Sequence, residues 1–236
     1  MSKIKIVNAD CKEILKKIPN SSIDLILTDP PYLTTKEKWD KEEVFNEEIV
    51  KELFRVAKDS CSIYVWCGIG EKSQSLIRWF PLLKRYFHFK DLITWKKQRG
   101  IGMRRGWLYT REEIMWFVKD NKKFIWNKKE QYSDEKRKFS GTEGNYYASK
   151  NKRITNIWMD IPDNYMSHGL HFTSKPLKAI ERIIKLHTKE NDIVLDPFLG
   201  SGTTAVVCKQ LNRNCIGVEL NKEYCEIAKR RIEENK

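Results

Sequence analysis

Ile193-Val-Leu-Asp196-Pro-Phe198-Leu-Gly200-Ser201-Gly202-Thr203-Thr204-Ala205 reads as strand, tight loop and helix start. A short apolar run ends in an acid. Gly200 and Gly202 then let the backbone turn sharply and approach a ligand with no Cβ in the way. Thr203 is suited to start a helix that runs to Leu211. The next apolar run, Cys215–Glu219, ends in a second acid, 19 residues after Gly200. That is the place for a carboxylate accepting hydrogen bonds from two ribose hydroxyls. The third glycine of the dinucleotide fingerprint is missing, since position 205 is Ala and 203 is Thr. Asp196, just ahead of the loop, repels a pyrophosphate and attracts a cation. This favours S-adenosylmethionine, with its positive sulfonium and amino groups, over a nicotinamide dinucleotide.

Working outward, strand-like and helix-like runs alternate on both sides. Pro176–His187 predicts a helix with Pro at its start. Lys222–Glu234 predicts a helix with Tyr224, Ile227, Ala228 and Ile232 on one face. Nearer the start, Ile4–Asn8 reads as a strand, Cys11–Lys17 as a helix, and Ile23–Thr28 as a continuous apolar strand of the buried parallel kind. Helices are predicted over 42–57 and 73–84, and strands over 62–66, 87–95 and 114–118. This alternation predicts an α/β doubly wound, mostly parallel sheet with right-handed crossovers. The stretch 119–163 is polar and poor in aliphatics, and holds Ser-Gly-Thr-Glu-Gly-Asn at 140–145, so it reads as an insertion or small lobe.

Ile23–Thr28 runs into Asp29-Pro30-Pro31-Tyr32. The two prolines fix φ and donate no amide hydrogen, while their carbonyls stay free to accept one. Asp29 is a second acceptor beside them, and Tyr32 offers a face for a base to stack upon. Two acceptors around a stacked ring suit an exocyclic amino group. Taken alone, the motif reads equally well as a strand end capped by a rigid turn.

With Asp196–Thr204, Asp29–Tyr32 resembles the amino-group DNA methyltransferases. Its order resembles their β-class: catalytic motif first, recognition segment in the middle, cofactor motif last. The resemblance covers nearly the whole chain. Asn8-Ala-Asp10-Cys11 resembles the strand end that meets the cofactor's adenine. His171-Phe-Thr173-Ser174-Lys175-Pro176 resembles the segment that closes over its methionine part, with Phe172 where the family commonly has Pro. Gly217-Val-Glu219-Leu220-Asn221 resembles the ribose-binding strand end.

The resemblance implies a Rossmann-like methyltransferase sheet with a small inserted target-recognition segment at 119–163, between a catalytic half (1–118) and a cofactor half (164–236). It implies catalysis at Asp29, Pro30, Pro31 and Tyr32. It implies that S-adenosylmethionine is held by Asp10, Cys11, Asp29, His171, Thr173, Ser174, Lys175, Asp196, Phe198, Gly200, Ser201, Gly202, Thr203, Thr204, Glu219 and Leu220. The base is expected to flip out of the duplex and the methyl to move in line from sulfur to nitrogen. In this family Asp at the first motif position goes mostly with adenine and Ser mostly with cytosine, so Asp29 points to adenine N6, with cytosine N4 as the alternative. A ring-carbon cytosine enzyme needs a Cys right after a Pro, and the chain has no such dipeptide.

Composition agrees with a polyanionic partner. The chain of 236 residues carries 45 Lys and Arg against 32 Asp and Glu, a net charge of +13. From Lys96 to Arg153 there are 17 basic and 7 acidic residues, with ten aromatics interleaved. A basic, aromatic-rich middle suits double-stranded DNA. Arg99, Arg104, Arg105, Arg111, Lys136, Arg137, Lys138, Lys150, Lys152 and Arg153 are the candidate contacts, each one also readable as a solvated surface charge. A basic binding module without catalysis would explain this charge but neither motif. A homodimer and a restriction endonuclease partner are compatible with the resemblance. The six Cys (11, 61, 67, 208, 215, 225) include no Cys-x-x-Cys pair, so neither a metal site nor a disulfide framework is expected. The start has no long hydrophobic segment and no apolar run approaches a membrane span, so a cytoplasmic location is expected.

Overall fold

The computed structural model describes residues 2–34, 43–101, 107–136, 151–162 and 175–234, with residues 98, 99, 101 and 134–136 placed by backbone alone. Eight of the described strands form one sheet. Five are parallel neighbours: β1 (Ile4–Asn8), β10 (Asn214–Glu219), β9 (Ile193–Asp196), β2 (Ile23–Thr28) and β3 (Ala57–Cys67), in that order. An antiparallel pair continues the sheet. β5 (Tyr109–Val118) lies antiparallel to β3, and β4 (His88–Ile101) antiparallel to β5. β8 (Ile157–Trp158) closes that edge parallel to β4.

β2 is buried along its whole length, which is why its sequence is an apolar run rather than an alternation. Its one charge, Asp24, is paired with Lys58 at 2.6 Å and accepts the backbone N–H of Ile193 at 2.9 Å. Helices cover both faces. Leu15 of α1 (Cys11–Leu15), Leu53 of α2 (Glu47–Val56) and Trp79 of α3 (Ser75–Lys84) pack into one core. Ile183 of α4 (Leu177–His187), Ala205 of α5 (Thr203–Gln210) and Ala228 of α6 (Lys222–Glu234) pack into the other. This is the doubly wound arrangement expected. From β9 the chain winds to β10 on one side, and from β2 to β3 on the other. The strand order therefore reverses between β9 and β2, the place where open α/β sheets form a ligand crevice at the strands' carboxyl ends.

Several boundaries differ from expectation. The helix read over 42–57 starts at residue 47, because Asn46 is extended and its side chain caps the first turn by accepting from Ile49 N at 3.3 Å. The strands read over 87–95 and 114–118 run on to Ile101 and back to Tyr109. They form a hairpin whose polar part, with Lys96 opposite Arg111, is held by backbone pairing that apolar periodicity does not register.

The described part of 119–163 is also more closely woven into the rest of the fold than its composition suggests. Ile125 N donates to Ser60 O, Asn127 N donates to Leu186 O, and Trp158 and Ile161 are buried. Within its described part only the two-stranded β6 (Tyr132–Lys136) and β7 (Asn151–Arg153) stands apart from the main sheet.

Of the seven described aromatics of the basic middle, four, Trp116, Phe117, Phe124 and Trp126, pack against other rings of the protein. Trp116 stacks on Tyr64 and Trp126, and the three surround the buried His187 with ring centroids 5.3–5.4 Å from its own. Phe117 is fully buried and Phe124 meets Trp116 edge-on. Trp107, on the β4–β5 connection, is 97% exposed. Phe139, Tyr146 and Tyr147 lie outside the described residues. Among the described residues no helix is long and apolar enough to cross a membrane.

Candidate active site

The crevice at the strand reversal is walled by two carboxylates, Asp196 at the end of β9 and Asp29 just past the end of β2. Asp196 is buried and held by its own loop. Its Oδ2 accepts the Thr204 hydroxyl at 2.7 Å and its Oδ1 the Phe198 N–H at 3.2 Å. Burial raises its carboxyl to about 7, against those two bonds and with help from the charges of Asp29 and Glu219. Gly200 and Gly202 both have positive φ, 55° and 86°. At Gly202 there is also no room: a Cβ would lie 2.5 Å from that of Ala228.

Glu219 closes the far side of the loop. One of its oxygens accepts Gly200 N and the other Asn221 N, both at 2.8 Å. Each oxygen keeps a further lone pair for a ligand hydroxyl. β1 and β10 are in register, with Asn8 opposite Glu219, so Asp10, Cys11, Glu219 and Leu220 meet at one rim. Asp10 caps α1 by accepting Lys12 N, and Asn8 Nδ2 donates to the carbonyls of Glu219 and Leu220. Cys11 is buried, which with the Asp10 charge pushes its thiol up to about 12. Leu220 is exposed.

Ser201 and Thr203 do not face the crevice alone. Arg231, from α6, donates to the Ser201 carbonyl and hydroxyl at 2.6 and 2.9 Å and to the Thr203 hydroxyl at 3.3 Å. Sequence reading missed Arg231. The only signal was its place three residues after Ala228, on the helix face turned to the loop.

On the β2 side, Pro30 and Pro31 carry Asp29 to Tyr32, whose hydroxyl donates to Asp29 Oδ1 at 2.6 Å. Asp29 Oδ2 lies 2.9 Å from Lys175 Nζ, which lies 3.0 Å from Glu112 Oε2. The other oxygen of Glu112 pairs with Lys97. The Lys175 ammonium also sits 5.6 Å from the centre of the Tyr32 ring, and Trp79 meets that ring edge-on. Burial holds the Asp29 carboxyl above its usual range, and the Lys175 charge offsets part of this. The Glu112 carboxyl is held below its usual range, because Lys175 and Lys97 together outweigh the opposing effect of burial. Glu112 and Lys97 were not read from sequence, since neither belongs to a local motif.

Four buried side-chain atoms, Thr28 Oγ1, Trp66 Nε1, Arg78 Nε and Glu112 Oε2, make no hydrogen bond among the described residues, although Glu112 Oε2 lies in the ion pair with Lys175. Thr28 directly precedes Asp29, and an unpartnered hydroxyl next to that carboxylate is what a cleft built for a polar ligand presents. The donor set fits S-adenosylmethionine: acids for the sulfonium and amino end, and Glu219 for the ribose.

His171, Thr173 and Ser174 lie outside the described residues, as do Arg104, Arg105, Arg137, Lys138 and Lys150. Arg99 and Lys136 are placed by backbone alone. Arg111 projects from β5 half-exposed and pairs with Glu113 at 3.0 Å. Lys152 and Arg153 are exposed on β7, which pairs with β6 with Lys136 opposite Asn151 and Tyr132 opposite Arg153.

Comparison with known proteins gives the same picture. A family model described as DNA methylase matches residues 23–230. The type II methyltransferase M.HpaI of Haemophilus parainfluenzae is 35% identical over 97% of this chain and 74% of its own length. The DNA adenine methyltransferase YhdJ of Escherichia coli is 32% identical over 97% of this chain and 82% of its own. The crystal structure of the M1.HpyAVI–SAM complex superposes with a TM-score of 0.68 at 28% identity, covering 97% of this chain and 99% of that one.

Proposed function

The chain belongs to the DNA methylase family that methylates amino nitrogens with S-adenosylmethionine, and from that premise we propose that its target is the N6 amino group of adenine within a short specific duplex sequence. The observation that carries this reading is Asp29, an aspartate in the first position of Asp-Pro-Pro-Tyr, ending the strand beside Asp196 at the reversal of strand order. The likeness to a protein named as an adenine methyltransferase, YhdJ, supports it.

When bound, S-adenosylmethionine supplies a methyl group on a positive sulfur. The chain's own residues do the rest. Asp196 and Asp29 face the cationic end, Glu219 receives the ribose, and Asp10 and Cys11 border the adenine. The Asp29 carboxylate and the Pro30 carbonyl each accept one N–H of the flipped base. Holding both hydrogens turns the nitrogen lone pair out of the ring's π system and toward the methyl. Tyr32 stacks on the base. The raised carboxyl of Asp29 suits it to take the proton that the nitrogen sheds after transfer. Fixing both reactants supplies on the order of 7–11 kcal/mol.

The basic middle positions the duplex, with phosphate contacts giving affinity and base-edge contacts giving sequence. Residues 119–163, with the β6–β7 pair, form the recognition element. The test is to incubate duplex DNA with the protein and methyl-labelled S-adenosylmethionine, digest it, and separate the nucleosides. N6-methyladenine is expected. N4-methylcytosine alone overturns the adenine assignment, and 5-methylcytosine overturns the amino-group class.

A further inference from the structure

Lys175 is part-buried, with only 11% of its side chain exposed, and its ammonium lies between two carboxylates from different parts of the chain. Asp29 is one and Glu112 the other. Glu112 is itself anchored by Lys97 from the adjacent strand, so Lys97, Glu112, Lys175 and Asp29 form a row of alternating charge ending at the catalytic carboxylate. Burying a lysine needs a reason, because its charge loses hydration unless a partner replaces the water.

We propose that Lys175 is a positioning residue for methyl transfer: its ammonium keeps Asp29 ionised and aimed as an acceptor, and Glu112 keeps Lys175 in place. This rests on Asp29 being the acceptor of the amino N–H.

What the Asp29 carboxyl can do in this crevice depends on its protonation state. Only an ionised carboxylate is purely an acceptor; once protonated it offers an O–H that competes with the amino hydrogens. Other features of the crevice favour protonation. Burial disfavours the charge, and Asp196 on β9, Glu112 on β5 and, once ionised, Cys67 at the end of β3 bring like charge toward Asp29. Two groups oppose this: the Tyr32 hydroxyl, which is neutral, and Lys175, the one cation in contact with Asp29 among the described residues. Arg78 is bonded to the Tyr32 carbonyl and paired with Glu43, so it is turned elsewhere. Glu112 therefore has two opposing effects on Asp29. It anchors the lysine, and it adds a negative charge of its own.

This yields opposite signs for two variants. Lys175→Gln removes the cation and should move the acidic limb of the single-turnover rate upward by about 1–3 pH units. The loss of rate should grow as the pH falls and shrink as it rises. Lys175→Arg keeps the charge and should restore the limb. Glu112→Gln removes a like charge while its amide oxygen still accepts from Lys175, so the lysine stays in place and the limb should move downward.

The Asp29 carboxyl is followed in parallel in the cofactor-free protein by NMR with isotope-labelled aspartate, using Asp29→Asn to assign the signal. It should titrate higher in Lys175→Gln and lower in Glu112→Gln. Melting curves verify that each variant is folded. If Lys175→Gln does not fold, the sign of the Glu112→Gln shift decides. The proposal is overturned if neither the limb nor the carboxyl titration moves, or if both variants move them in the same direction. Lys175 would then be a cofactor contact or a packing element only. A parent protein that methylates no DNA while its Asp29 titration still responds would sink the functional reading and leave the charge coupling standing.

Discussion

Asp196 stands at the end of β9 and Asp29 just past the end of β2, the strand beside it, yet the two carboxylates are held by different kinds of neighbour. Asp196 is bonded by Phe198 and Thr204, two and eight residues ahead in its own loop, both neutral donors. Asp29 has one local partner, Tyr32, and one charged partner, Lys175, brought by the segment that precedes α4. The β9 side of the crevice is thus mostly a local fold of glycine loop and helix start, completed by Glu219 and Arg231. The β2 side exists only when β2, β5, β4 and the lead into α4 have come together. A local site is robust to rearrangement elsewhere and changes little with distant charges. An assembled site can be tuned by residues far from the chemistry, and it is lost when any of them moves.

Four measurements test that contrast, from the largest effect to the smallest. Asp29→Ala should lower the methylation rate by about 10²–10³-fold or more, the usual loss when one preorganised partner of the transition state is removed. A rate within a factor of a few of the parent would show that the β2 side does not carry the chemistry.

Glu219→Ala should weaken S-adenosylmethionine binding by about 1.5–3 kcal/mol through lost charge-assisted bonds. Its backbone bond to Gly200 adds an ordering role in the loop. Calorimetry that finds affinity unchanged would remove Glu219 from the ribose site.

Gly202→Ala forces a side chain into positive φ and against Ala228, at a cost of about 1–3 kcal/mol. At roughly 2–4 °C per kcal/mol for a chain of this size, Tm should fall by several degrees. Gly200→Ala makes the control, since its Cβ would meet nothing within 4 Å and only its φ is unfavourable. Equal losses at the two positions would contradict the packing argument.

The last expected effect is pH dependence of cofactor affinity. Asp196 titrates at about 7, and a cationic ligand favours its ionised form. Binding below that pH must release the proton first, so affinity should weaken as pH falls through about 7 and level off above it. Asp196→Asn should flatten the curve. A parent and variant with parallel curves would place the cation elsewhere.

Much of this molecule was legible in the residue string, for a physical reason. Apolar periodicity and glycine spacing report local conformation, and β9–α5–β10 and β2 with Asp29–Tyr32 are locally determined. So the parallel sheet, the glycine loop, the placement of Glu219 at a strand end and the turn at Asp29–Tyr32 could be read directly, while the roles assigned to them came from the resemblance to a family. The hairpin's polar half and the two-residue β8 could not, because backbone pairing across strands holds them whatever their side chains. Composition also counts Trp116 and Trp126 alike with Trp107, and only the packing around His187 separates the half-buried rings from the exposed one. The charge row from Lys97 through Glu112 and Lys175 to Asp29 was decided by tertiary structure alone. Asp29 and Lys175 stand in motifs, but neither motif points to the other, and Lys97 and Glu112 are unremarkable in their own stretches of chain. A charge acts over a few ångströms of space, irrespective of sequence separation, so only the fold could bring these four within reach of one another.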